Sequence, residues 1–182
     1  MYKMQNDIEK ILFSAADLEA RIEELGERIT EDYRGKELIV VGILKGSNIF
    51  TSDLVRKVNI PLKIDFMVVS SYGNTTESTG VVRILKDLEH SVENKHLLIV
   101  EDIIDSGLTL KYLKEMLLTR NPAGIKICTL LDKPARRKEY VDIDYMGFEV
   151  PDEFIVGYGI DYAEMYRNLP YVGVLKREVY DK

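Results

Sequence analysis

Apolar residues recur in two rhythms along this chain. From Ser14 to Tyr33, Leu18, Ile22, Leu25 and Ile29 return at helical intervals, the spacing of one buried helix face. Ser14 opens this segment with Asp17 three residues on, and Arg34-Gly35-Lys36 closes it. A Ser with a carboxylate at that offset is the mark of an N-terminal cap. Glu37-Leu38-Ile39-Val40-Val41-Gly42-Ile43-Leu44 is near-continuously apolar instead, as a strand covered on both faces of a parallel sheet is. Lys45-Gly46-Ser47 then turns into a helix carrying Ile49, Phe50, Leu54 and Val55. The pattern predicts strands over 62–69, 81–85, 96–101 and 125–131 and a helix over about 107–120, with Asn121-Pro122-Ala123-Gly124 as the stop after that helix. Short strands are predicted over 145–150, 154–156 and 171–175. Strand–helix–strand alternation through the middle predicts an α/β core with right-handed crossovers, the strand order being left open. Residues 70–80 are polar and small, which predicts a long exposed loop of the kind that usually carries function.

Composition narrows the class. Of 182 residues, 46% are hydrophobic and 31% charged, which excludes a disordered chain and fits one domain with a small appended lobe. There is no internal repeat and no low-complexity segment. Lys and Arg number 25 against 31 Asp and Glu, a net charge of −6. That balance argues against a nucleic-acid partner, which needs a basic face, but leaves small anions open. Apolar runs such as Leu97-Leu98-Ile99-Val100 fall far short of the roughly 20 residues of a membrane span. No apolar segment of signal-peptide type follows Met1. The single Cys128 excludes an internal disulfide and any multi-cysteine metal site, so a cytoplasmic location is expected.

The chemistry concentrates in Leu97-Leu98-Ile99-Val100-Glu101-Asp102-Ile103-Ile104-Asp105-Ser106-Gly107-Leu108-Thr109-Leu110. An apolar strand runs into two carboxylates, then into a short turn that opens a helix. Ligands of open α/β sheets bind beyond the carboxyl ends of the strands. Free amides at a helix N-terminus favour a phosphate, and Gly107 lets the backbone come close. The carboxylates would repel a phosphate unless they hold sugar hydroxyls or a hard cation. Taken singly, each residue has an ordinary explanation as a turn former or helix cap. Their coincidence at one strand end points to a phosphorylated sugar.

The stretch from Val100 to Thr109 resembles the phosphoribosyl-diphosphate (PRPP) signature of the type I phosphoribosyltransferases. More narrowly it resembles the 6-oxopurine members, the hypoxanthine-guanine phosphoribosyltransferases, from about Ile8 to Tyr180. The resemblance implies a parallel sheet flanked by helices over about 34–150, with a small hood lobe from about 1–13 and 151–182. It implies transfer of phosphoribose from PRPP to hypoxanthine or guanine, with release of pyrophosphate. Glu101 and Asp102 would meet the ribose hydroxyls and their Mg²⁺, and Asp105 would be the general acid/base near the purine. Ser106, Gly107, Leu108 and Thr109 would wrap the 5′-phosphate. Lys45 and Gly46 match the pyrophosphate loop, which in this family often carries a non-proline cis peptide. Ser71 and Tyr72 match the closing lid. Lys133 matches the donor to the 6-oxo group, Phe154 the base-stacking ring, and Ile155 its neighbour. Asp161, grouped also with the purine contacts, matches a second Mg²⁺ site near pyrophosphate, and Arg167 a pyrophosphate contact. Leu108 departs from members that carry Lys there. A homodimer or homotetramer is implied.

Ordinary explanations stand beside these roles. A lysine after an apolar strand is by default a surface charge, and an aromatic in Phe154-Ile155-Val156 is by default core. His90 and His96 read as non-catalytic, Cys128 as a small core residue, and Arg136-Arg137-Lys138 as a solvated basic turn. Three rival functions remain in view: an RNA-binding regulator on the same fold, a receiver-type signalling domain, and a transferase for another base such as xanthine.

Overall fold

Residues 4–71 and 82–181 are described by the structure, a computed structural model. Tyr72 and most of the expected lid lie outside them, and the backbone of Ser71 closes a strand. In chain order the elements are β1 Ile8–Phe13, α1 Ala15–Asp32, β2 Leu38–Leu44, α2 Asn48–Lys57 and β3 Leu62–Ser71. There follow β4 Val82–Lys86, β5 His96–Ile104, α3 Leu108–Leu118, β6 Gly124–Asp132 and β7 Tyr145–Glu149. The remainder is β8 Ile155–Val156, β9 Val172–Leu175 and α4 Arg177–Tyr180.

Six strands form the main sheet in the order β4-β3-β2-β5-β6-β7. β3, β2, β5, β6 and β7 are mutually parallel, and β4 runs antiparallel to β3 at one edge. The apolar run of β5 is explained by its two covered faces. Leu98 and Val100 join Leu18, Ile22, Phe50 and Leu54 of α1 and α2 in one core. Leu97 and Ile99 join Leu110, Leu113 and Leu117 of α3 in the other. Cys128 is buried in the first. The reciprocal cap on α1 forms as its sequence predicts: the Asp17 amide donates to Ser14 Oγ at 3.2 Å and the Ser14 amide to Asp17 Oδ2 at 2.8 Å.

Two features differ from the sequence expectation. β5 continues past Glu101 to Ile104 because Ile103 and Ile104 stay in register with Leu131 and Asp132 of β6. The two carboxylates therefore sit within a strand, not after it. β1 has no counterpart among the predicted elements. Its pairing with β9 shifts register between Ile8 and Lys10 and again between Ile11 and Phe13, and such bulges break the two-residue alternation that marks a strand. β1, β9 and β8 form a second, antiparallel sheet, laid over the carboxyl ends of the main one.

Candidate active site

The carboxyl ends of β2, β5 and β6 supply the site from three directions. A cavity of about 130 Å³ lies at the turn between β5 and α3, lined by Glu101, Asp105, Ser106, Gly107 and Thr109 among others. Gly107 caps α3 with a φ of 79°, a conformation that costs glycine nothing. It brings no side chain to the cap, so the first-turn amides of α3 face the cavity as anion donors. A Cβ on Gly107 would also strike the Glu139 carbonyl. The Leu108 amide reaches Ser106 Oγ at 3.4 Å.

Glu101 Oε2 is fully buried with no hydrogen-bond partner among the described residues. Burial pushes the Glu101 carboxyl well above the usual range, and the neighbouring Asp102 charge adds to this. Burial likewise raises Asp102 to about 6, against lowering by backbone amides and Arg167. Two acids so strained toward neutrality call for a cation or hydroxyl donors. The β2 turn closes on them: a Cβ on Gly46 would fall on the Asp102 carboxylate. The Leu44–Lys45 peptide is cis, as the resemblance implies for this loop. Among the described residues no three His, Cys, Asp or Glu side chains form a metal cage.

The two cations expected at pyrophosphate are engaged. Lys45 Nζ is 2.7 Å from Glu164. Arg167 pairs with Asp161 at 2.8 Å and Glu164 at 3.3 Å, and donates to the Gly159 carbonyl at 2.8 Å. Its buried Nε has no partner among the described residues. Glu164 is a site residue the sequence reading missed; nothing in local spacing links it to Lys45, 119 residues away.

A second cavity, of about 440 Å³, is lined by Ile103, Asp105, Lys133, Phe154, Ile155 and Asp161, and by Glu9, Arg177 and Tyr180 from the chain's outer segments. Asp105 borders both cavities. Lys133 is 6% exposed, so it is no surface charge. Its Nζ donates to the Glu153 carbonyl at 3.0 Å and stands 3.6 Å from Asp105 Oδ1. Phe154 is 37% exposed, a wall and not a core ring. It stacks on Tyr180 at 4.6 Å and meets Tyr162 edge-on at 5.4 Å. Ile155 is buried beside it. Tyr180 went unread because a four-residue helix leaves no periodicity.

The basic turn requires correction: Arg137 is not solvated but ion-paired to buried Asp132, because Asp132 at the end of β6 needs a cation. His96 sits at the opposite end of β5, edge-on to Tyr33 at 5.9 Å.

A small cradle at a helix N-terminus that shares Asp105 with a larger chamber fits an α/β protein that binds a phosphorylated ligand. The chain belongs to the phosphoribosyltransferase family, its residues 10–163 matching the phosphoribosyl transferase domain. Within that family it is 54% identical to a hypoxanthine-guanine phosphoribosyltransferase of Staphylococcus aureus, over 97% of this chain and 99% of the relative. A crystal structure of a hypoxanthine phosphoribosyltransferase from Staphylococcus aureus superposes with a TM-score of 0.96 at 53% identity, covering 98% of this chain and 97% of that one. A bifunctional protein TilS/HprT of Listeria monocytogenes is 53% identical over 179 residues, 98% of this chain. The chain spans only 28% of the length of that bifunctional relative.

Proposed function

We propose that this protein transfers the 5-phosphoribosyl group of PRPP to hypoxanthine or guanine, giving IMP or GMP and pyrophosphate in purine salvage. The observation that carries this reading is Asp105, placed between the cradle and the chamber with Lys133 3.6 Å away.

Breaking the bond at the ribose C1 develops positive charge on the sugar, in an oxocarbenium-like transition state. Asp105 relieves the purine nitrogen of its proton as the new bond forms. Lys133, a donor held in place by the Glu153 carbonyl, meets a 6-oxo group. Adenine would bring a second donor to the same point. Phe154 stacks the base, a contact worth about 1–3 kcal/mol. The N-terminus of α3, with Ser106 and Thr109, holds the 5′-phosphate. Lys45 and Arg167 turn from Glu164 and Asp161 to the departing pyrophosphate. Glu101 and Asp102 meet the ribose hydroxyls, and Asp161 stands at the pyrophosphate end. The unpartnered Glu101 Oε2 suits Mg²⁺, which takes one or two carboxylates plus substrate oxygens. When bound, one ion would be held by Glu101 and Asp102 at the ribose hydroxyls and a second by Asp161 near pyrophosphate, whose charge it would neutralise. Ser71 and Tyr72 are assigned to a lid that excludes water. A cytoplasmic location and a homodimer or homotetramer complete the reading. Among the described residues no helix is long and apolar enough to cross a membrane.

The test is a spectrophotometric assay of PRPP and Mg²⁺ against hypoxanthine, guanine, xanthine and adenine in parallel. Turnover of hypoxanthine and guanine is expected, with adenine at least about 10²-fold lower in kcat/KM, since donor would face donor. Equal use of adenine, or no turnover together with RNA retention in a filter-binding titration, would overturn it.

A further inference from the structure

Arg137 lines neither cavity. We propose that it is a positioning residue for the transfer, fixing the main chain of Asp105 and thereby aiming the carboxylate. This rests on the role of Asp105 proposed above. The Arg137 side chain is 18% exposed and paired with Asp132, itself 12% exposed. From that anchor its Nε donates to the Asp105 carbonyl at 3.0 Å, and Nη2 reaches the Ile104 carbonyl at 3.5 Å. One planar fork thus ties the end of β6 to the last turn of β5, a geometry a lysine cannot copy.

The surrounding chain reinforces the tie. The Lys133 amide donates to the Ile104 carbonyl at 3.0 Å. The Lys138 and Glu139 amides donate to the Ser106 carbonyl at 3.0 and 2.9 Å. Residues 133–139 therefore hold the 104–106 turn from behind. Among the described residues the carboxylate of Asp105 has no comparable support. Its side chain is 50% exposed, and Lys133 at 3.6 Å is beyond hydrogen-bond reach. The direction in which the Asp105 side chain leaves the main chain is set by its backbone, and the side chain that holds the Asp105 carbonyl is Arg137. A misplacement of about 1 Å in a reacting group can cost about 10²-fold in rate.

The competing explanation is a buried ion pair that serves the fold alone. A double-mutant cycle separates the two. Arg137→Gln and Arg137→Lys are each made in the native and the Asp105→Asn backgrounds. For each variant kcat is measured with saturating PRPP and hypoxanthine, well below its Tm, together with both KM values. In the native background Arg137→Gln is expected to lower kcat about 10- to 100-fold, and Arg137→Lys by an intermediate factor. In the Asp105→Asn background both should lower the residual kcat less than about twofold, because nothing remains to aim. Equal losses in the two backgrounds, or a lower Tm with unchanged kcat, would overturn the proposal. If Arg137→Gln fails to fold, Arg137→Lys carries the same comparison. An Asp105→Asn enzyme with full kcat would remove the Asp105 reading and this one with it, whereas additivity removes this one alone.

Discussion

A lysine that follows an apolar strand ordinarily projects into water, yet Lys133 turns inward and is held by the Glu153 carbonyl at 3.0 Å. An ammonium carries three donors, and the Glu153 carbonyl takes one of them. Lys133→Gln is therefore expected to raise KM for hypoxanthine about 5- to 150-fold, the equivalent of about 1–3 kcal/mol for an unpaired buried acceptor. KM for PRPP should stay within about threefold. Initial-rate kinetics in both substrates check this; a parallel rise in the two constants would point to general damage instead. The acids of β5 stand out in the sequence because they follow an apolar run, whereas Lys133 and Phe154 are singled out only by the family resemblance, their positions alone reading as surface charge and core. Glu164 and Arg137 were legible in neither way. Their partners, Lys45 and Asp105, lie 119 and 32 residues away, and only folding brings them together.

Elements were legible where one face or two are buried in a regular rhythm. α1 illustrates this, with its apolar stripe and its cap both readable from residue types. Removing the cap should cost the helix without touching the chemistry. Ser14→Ala is expected to lose about 1 kcal/mol, which for a chain of this size lowers Tm by about 2–4 °C, with kcat unchanged. Thermal melting followed by circular dichroism, alongside the assay, reads both. β1 shows the converse: bulged pairing leaves no alternation, so a strand exists where the pattern is silent. The end of β5 shows a third case. Glu101 and Asp102 look like a stop, but backbone pairing with β6 carries the strand onward to Ile104, because ladder bonds are indifferent to side-chain charge.

For the molecule as a whole, acid should loosen the edge of the main sheet. Asp65 on β3 is buried, which pushes its carboxyl up, but the Glu89 and Phe66 amides and Lys86 outweigh burial and hold it below its ordinary 3.8. Those amides sit at 2.8 and 2.7 Å from the carboxylate. With the folded value depressed, the unfolded chain takes up the proton first as pH falls. The stabilisation is present above pH about 4 and is lost as pH drops through the folded value. Urea midpoints of the native protein should fall between pH 5 and 3 (about one unit either side of the usual value). Asp65→Asn should begin lower at pH 7 and fall less steeply; parallel curves would contradict the assignment. The paired β1 and β9 have a practical corollary. Glu9 near one terminus and Tyr180 near the other wall the same chamber, and Lys176 clasps the Asn6 carbonyl at 2.6 Å. Residues far apart in the sequence thus enclose one volume, so a substitution that loosens the β1–β9 pairing would open that wall of the chamber to water.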